Sequence, residues 1–245
     1  MENYIEQMVL RTCHCDMSGE WRPGAVLEAM QETAGAHCSR LGIGRAATDA
    51  LGVAWVLSRS RIEMRRLPRI GERISIETYP TRPRHMFFPR VNVFRDERGG
   101  EIGCAVSLWA LLDMATRRMT TQPEVQARIP DNADAPARGG MPATIRALEG
   151  EAARQELTPQ YLDFDLNNHV NNTKYLDWCC NALGFEVMGR KRLMRFDVNY
   201  EAEVRPGERI MTELVLRDDS FSFCGFLEGR RCFAVAGGLA AREDR

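Results

Sequence analysis

The chain has 245 residues, 44% apolar and 27% charged, which suits one large domain or two of average size and excludes a disordered chain. Its 33 basic and 34 acidic residues leave a net charge of −1, so a general nucleic-acid binder, which needs a basic excess to hold phosphates, is not expected. No apolar run approaches the ~18 residues of a membrane span, and the first residues lack the basic and apolar stretches of a secretory signal; a soluble, cytoplasmic protein is expected.

Residues 3–15 alternate loosely and predict a strand. Trp21-Arg22-Pro23-Gly24 opens a helix, with Pro23 suited to the first turn. Val26, Leu27, Met30, Ala34, Cys38 and Leu41 then recur at three- and four-residue steps, and Gly42 and Gly44 end the run. An antiparallel meander follows, with strands at Trp55–Met64, Arg73–Tyr79, Phe87–Arg95 and Ile102–Leu112 separated by turn-rich segments. Residues 123–154 are broken by prolines and glycines and predict a linker, with a short helical piece at Ala143–Ala153. Beyond it come a strand at Leu157–Asp165, a helix at Asn171–Leu183, and strands near Met194–Glu203, Arg209–Leu216, Phe221–Glu228 and Arg231–Leu239.

The second half repeats the order of the first. Leu41-Gly42 and Leu183-Gly184 end the two helices, and Gly71-Glu72-Arg73-Ile74 and Gly207-Glu208-Arg209-Ile210 open corresponding strands. A long helix buries its apolar stripe against a sheet face, so each half is expected to be an α+β unit with an antiparallel sheet wrapped on a long helix, a tandem (double) hotdog. The expected division is a first copy at 1–130, a linker at 131–154 and a second copy at 155–245. The eight cysteines sit in apolar or alternating segments and read as small buried hydrophobes. Cys13-His14-Cys15 lacks a second ligand pair at zinc spacing, and on a strand its two thiols would face away from His14, so no metal site is expected there.

The densest polar stretch runs from Asp163 to Asn172. Asp165, Asn167 and His169 are spaced by two, which in an extended segment puts all three on one side. They lead into a helix whose first N–H groups lack intrahelical partners. A carboxylate, an amide and an imidazole beside a helix N-terminus can polarise a carbonyl and move protons near neutral pH. Caps alone would also use Asn and Asp here, and Asp163, Asn171 and Asn172 keep that reading.

The pattern Asp165-x-Asn167-x-His169-Val170-Asn171-Asn172-x-x-Tyr175-x-x-Trp178 resembles the signature of the plant and bacterial acyl-ACP thioesterases. The resemblance extends over essentially the whole chain, including Gln31-Glu32-Thr33-Ala34 with His37, Trp55–Arg59, Ala105–Trp109 and Asp113-x-x-Thr116-Arg117-Arg118. It implies a double hotdog whose second copy carries the active site, and it adds Glu203 as a further catalytic carboxylate. Plant members often place a cysteine directly after this glutamate, where this chain has Val204. The implied reaction is hydrolysis of a fatty acyl-ACP thioester, with Asn167 and His169 polarising the carbonyl and Asp165 or Glu203 activating water. No metal or organic cofactor is implied.

The first copy lacks the signature and is expected to be non-catalytic. Its Met30, Ala34 and Leu41 either line an acyl pocket or simply pack the core. Expected partners are the acidic acyl carrier protein, a fatty acyl chain and a second copy of the chain in a homodimer. Arg59, Arg61, Arg65, Arg66 and Arg69, and Arg190, Lys191, Arg192 and Arg195, are candidate docking cations. Competing readings are an acyl-CoA thioesterase, a non-catalytic acyl-binding hotdog protein and a hotdog hydratase.

Overall fold

The computed structural model describes residues 1–136 and 138–242; Ala137 of the expected linker and residues 243–245 of the expected second copy lie outside them. The chain divides into two compact units, 1–142 and 143–245.

In the first unit, β1 (Tyr4–Val9) leads through a 3-10 turn at Thr12–His14 to α1 (Pro23–Arg40). A short α2 (Arg45–Ala50) precedes β2 (Val53–Met64), β3 (Arg73–Pro80), β4 (Phe88–Asp96) and β5 (Glu101–Asp113), and β6 (Met119–Thr120) and α3 (Pro123–Gln126) complete the unit. The sheet is antiparallel in the order β1-β3-β4-β5-β2, with β6 on β5. Pro23 occupies the first turn of α1, where its missing N–H costs nothing. The helix buries Val26, Leu27, Met30 and Ala34 as the periodicity predicts, together with Thr33 and His37. The strand expected over 3–15 stops at Val9; Cys13 and His14 lie in the 3-10 turn, so the alternation expected for Cys13-His14-Cys15 does not hold.

Beneath α1 the first unit is unusually polar. His37 is fully buried, and its Nδ1 accepts a hydrogen bond from Arg90 Nη1 at 3.0 Å. Arg90 also donates to Thr78 Oγ1 at 3.3 Å and to Cys38 Sγ at 3.4 Å. Burial, then the Arg90 and Arg40 charges, lowers the pKa of His37 to about 4, so the ring is neutral at pH 7 and able to accept.

The second unit comprises β7 (Ala153–Leu157), a 3-10 turn at Tyr161–Asp163, α4 (Lys174–Arg190), β8 (Lys191–Tyr200), β9 (Ile210–Arg217), β10 (Ser220–Leu227) and β11 (Arg230–Ala241). Its antiparallel order, β7-β9-β10-β11-β8, is the first unit's order repeated. Helix α4 buries Tyr175, Leu176, Trp178, Cys179 and Leu183. Phe233 stacks on Tyr175 with centroids 4.4 Å apart and meets Phe223 at 5.5 Å. Each such aromatic adds roughly 1.5–3 kcal/mol by leaving water.

Three sequence expectations need correction here. The helix begins at Lys174 rather than Asn171 and resumes to Arg190 after the non-helical Gly184 (φ 76°). The strand expected at Leu157–Asp165 lies earlier, at Ala153–Leu157. No helix forms at Ala143–Ala153. There the backbone bonds to sheet side chains instead: Ile145 N–H donates to Asn199 Oδ1 (2.8 Å), Asn199 Nδ2 to the Ala143 carbonyl (3.1 Å) and Leu148 N–H to Ser222 Oγ (2.9 Å). Ile145 packs on Cys224 and Ala234, so tertiary contacts override the local helical composition.

Candidate active site

The loop from Phe164 to Val170 enters α4, and its ends form an antiparallel bridge. Inside it Asn168 N–H donates to the Asp165 carbonyl and Asp165 N–H to the His169 carbonyl, both at 3.0 Å. Asn168 has φ 60°. This is the three-residue hairpin loop in which a β-turn is followed by a left-handed residue, and asparagine tolerates that conformation better than most side chains. Asp165, Asn167 and His169 therefore do not alternate along an extended segment, as the sequence suggested. They sit around a tight turn.

Asp165 holds the turn: its Oδ1 accepts the Asn167 N–H at 2.8 Å, and its Oδ2 lies 3.5 Å from Asn167 Nδ2. The helix entry is managed by Asn171, whose Oδ1 accepts from the N–H (3.0 Å) and hydroxyl (2.9 Å) of Thr173. Asn171 N–H donates to the Asp163 carbonyl at 2.7 Å, so Asp163 and Asn171 serve the loop's shape.

Glu203 arrives from the other side. β8 ends at Tyr200, where the N–H groups of Glu201 and Ala202 both donate to the Cys232 carbonyl and the chain leaves the ladder. Glu201 pairs with Arg231 (2.6 Å), while Glu203 turns to His169: Glu203 Oε2 lies 3.1 Å from His169 Nε2. The two glutamates thus have different partners. The backbone bond from Val170 N–H to the Val204 carbonyl, 2.9 Å, pins the two segments together, and Val204 is fully buried.

Of the four expected site residues, the structure brings His169 and Glu203 into direct contact and joins Asp165 to Asn167 within the turn. Burial first, with Cys232, Asp165 and Glu203 adding to it, pushes the Tyr175 phenol well up. Burial likewise raises the thiols of Cys179, Cys224 and Cys232, so these three are held protonated.

Arg205 was not predicted from sequence. Its Nη2 lies 3.4 Å from the same Glu203 Oε2 that meets His169. The available signal was the repeated Gly-Glu-Arg-Ile tetrapeptide, preceded by Arg69-Ile70 in one copy and Arg205-Pro206 in the other.

The first unit contains the same loop. Cys15 bridges Trp21, Ser18 N–H donates to Asp16 Oδ1 (2.8 Å), and Gly19 (φ 74°) stands where Asn168 stands. Trp21 N–H donates to the Pro68 carbonyl as Val170 does to Val204, which aligns Glu20 with His169 and Leu67 with Glu203.

Of the cations expected to dock a carrier, Arg65 pairs with Glu101, Arg66 with Glu72 and Asp96, Arg69 with Glu20, and Lys191 with Asp219. Much of that positive charge is neutralised locally. Among the described residues no helix is long and apolar enough to cross a membrane.

Comparison with known proteins gives a consistent picture. The family model described as the acyl-ACP thioesterase N-terminal domain matches residues 1–129, and that of the C-terminal domain matches residues 147–227. A chloroplastic acyl-[acyl-carrier-protein] hydrolase of Cuphea viscosissima, FATB3, is 29% identical over 195 residues, 74% of this chain and 47% of the relative. The chloroplastic palmitoyl-acyl carrier protein thioesterase of Arabidopsis thaliana is 28% identical over 192 residues, 73% of this chain and 46% of its own. This chain thus spans about half the length of these curated relatives. The crystal structure of an acyl-ACP thioesterase from Bacteroides thetaiotaomicron superposes with a TM-score of 0.88 at 26% identity, covering 97% of this chain and 98% of that one. The 12:0-ACP thioesterase from Umbellularia californica, at 19% identity and TM-score 0.85, shares the fold over 98% of both chains.

Proposed function

The chain belongs to the acyl-ACP thioesterase family, and on that premise we propose that it hydrolyses the thioester of a fatty acyl-acyl carrier protein, releasing free fatty acid and carrier. The observation that carries the reading is the contact of His169 Nε2 with Glu203 Oε2 at 3.1 Å beside the Asp165–Asn167 turn.

The carboxylate accepts from Nε2–H and so orients the ring, leaving Nδ1 to face the reacting water. His169 takes a proton from water as the water oxygen attacks the thioester carbonyl carbon. The Asn167 amide, loosely tied to Asp165 at 3.5 Å, turns to donate to the developing oxyanion. The carbon–sulfur bond then breaks, and the proton on His169 passes to the leaving sulfur. Glu203 is thus the carboxylate of the water-activating pair, and Asp165 keeps the turn that presents Asn167 and His169. No thiolate enters, in keeping with Val204 beside Glu203.

Catalysis is assigned to the second copy, 155–245. The first copy, 1–130, binds the acyl chain without reacting, a division supported by Glu20 and Leu67 standing where His169 and Glu203 stand. The test is release of free fatty acid from matched acyl-ACP and acyl-CoA substrates. Turnover with acyl-ACP is expected; exclusive use of acyl-CoA would change the carrier, and no turnover with either would end the proposal.

A further inference from the structure

We propose that Arg205 is a positioning residue for Glu203, an assignment that rests on the reaction proposed above. Glu203 lies past the end of β8. Its Oε2 meets His169 Nε2 at 3.1 Å and Arg205 Nη2 at 3.4 Å. Two donors converging on one oxygen set the plane of the carboxylate, and with it the orientation of the imidazole.

Arg205 is itself held from both sides. Its N–H donates to Glu208 Oε2 at 2.7 Å and its carbonyl accepts from Glu208 N–H at 3.2 Å, closing a turn that Pro206 stiffens. On the other side Val204 is buried and bonded to Val170. The arginine therefore starts from a fixed Cα and reaches back two residues to Glu203. With 60% of its side chain exposed, the contact contributes little to stability. Its effect is on geometry at the reacting pair.

The duplicate gives independent support. In the first unit Arg69 N–H donates to Glu72 Oε1 at 2.8 Å, and its Nη2 lies 3.5 Å from Oε1 of the buried Glu20, the residue at the position of His169. An arginine on this turn reaches a carboxylate in both units, one within the helix-entry loop and one facing it. In one it meets a structural carboxylate, in the other the carboxylate that touches His169.

The test measures kcat and KM on a decanoyl-N-acetylcysteamine thioester, with thermal midpoints, for the wild type, Glu203→Gln, Arg205→Ala, Arg205→Lys and Arg69→Ala. Arg205→Ala is expected to lower kcat about tenfold, the scale of a small misplacement of a reacting group, with KM and the midpoint close to wild type. Arg205→Lys should recover part of the loss, and free guanidinium ion added to Arg205→Ala should recover more. Arg69→Ala should lower the midpoint and leave kcat unchanged. An Arg205→Ala variant with wild-type kcat, or a loss that neither lysine nor guanidinium relieves, overturns the positioning role while a dead Glu203→Gln keeps the reaction. A wild type that leaves this thioester and the matched acyl-ACP both intact overturns both.

Discussion

The loops at 15–21 and 164–170 share a backbone and differ in their work. Both close an antiparallel bridge, both use an aspartate to accept the N–H two residues on, and both place a left-handed residue before the bridge closes. Since Asp16 makes these bonds in a copy with Glu20 and Leu67 in place of His169 and Glu203, Asp165 needs no catalytic role to explain its place. What sets the second loop apart is the pair brought together across it, His169 and Glu203, where the first has Glu20 and Leu67. A duplicated loop can thus act as a scaffold, with chemistry set by two side chains facing each other over it.

The largest effect should come from breaking that pair. His169→Ala and Glu203→Gln are each expected to lower kcat at least ~100-fold, the range of a general acid or base. Glu20→Gln, the matching change in the first loop, should cost roughly 1–3 kcal/mol of stability and leave turnover intact. Equal rate losses at Glu20 and His169, read in steady-state assays on folded variants, would erase the distinction between the loops.

Next is a contrast in the interiors, charged under α1 and aromatic under α4. His37 has a pKa near 4 when folded against an unperturbed 6.5, so the unfolded chain takes up its proton first as pH falls. The stability from its neutral form is complete above pH 6.5 and drains away as pH drops to 4, by about 3 kcal/mol at 1.36 kcal/mol per unit. Urea unfolding across that range should show the slope. His37→Asn, which keeps an acceptor for Arg90, should flatten it; an unchanged slope would assign the effect to other groups.

A smaller effect sharpens the division of labour between the two carboxylates. Asp165→Ala and Asp16→Ala should each cost about 1 kcal/mol through the lost turn bond. Asp165→Asn keeps an acceptor oxygen and should retain most of the activity. If Asp165→Asn is as inactive as Glu203→Gln, Asp165 takes part in the chemistry and the parallel with Asp16 fails.

The smallest changes are expected at the cysteines. Single alanine replacements should give modest rate losses that follow stability, because buried thiols such as Cys179 are packing atoms kept protonated. One such variant losing turnover as fully as His169→Ala, or a cysteinyl thioester trapped in single-turnover experiments, would replace water attack with a thiol nucleophile.

The strands of both meanders were legible because alternation reports a half-buried sheet directly; Trp55–Met64 and Arg73–Tyr79, for instance, fall inside the observed β2 and β3. Asp165, Asn167 and His169 were legible as a motif, and Glu203 only through the family resemblance. Their arrangement was not, since spacing by two means one face only on an extended chain, and the Asp165 side chain and the left-handed Asn168 bend this one into a turn. The segment at 143–153 misled for a related reason. Its composition favours a helix, but Asn199 and Ser222, more than fifty residues away in sequence, take its backbone bonds.

By itself the sequence determined two copies of a sheet and helix, the proline and glycine signals that bound the first helix, and an Asp-rich, Asn-rich entry to the second. These are local properties, set by periodicity, backbone restriction and side-chain-to-backbone bonds within a few residues. Only the tertiary structure decided that Glu203 and not Glu201 meets His169, that Arg205 shares the same oxygen, and that His37 lies neutral against Arg90. Each depends on where a strand end leaves its ladder or how deeply a helix face is buried, and such distances arise when remote segments pack.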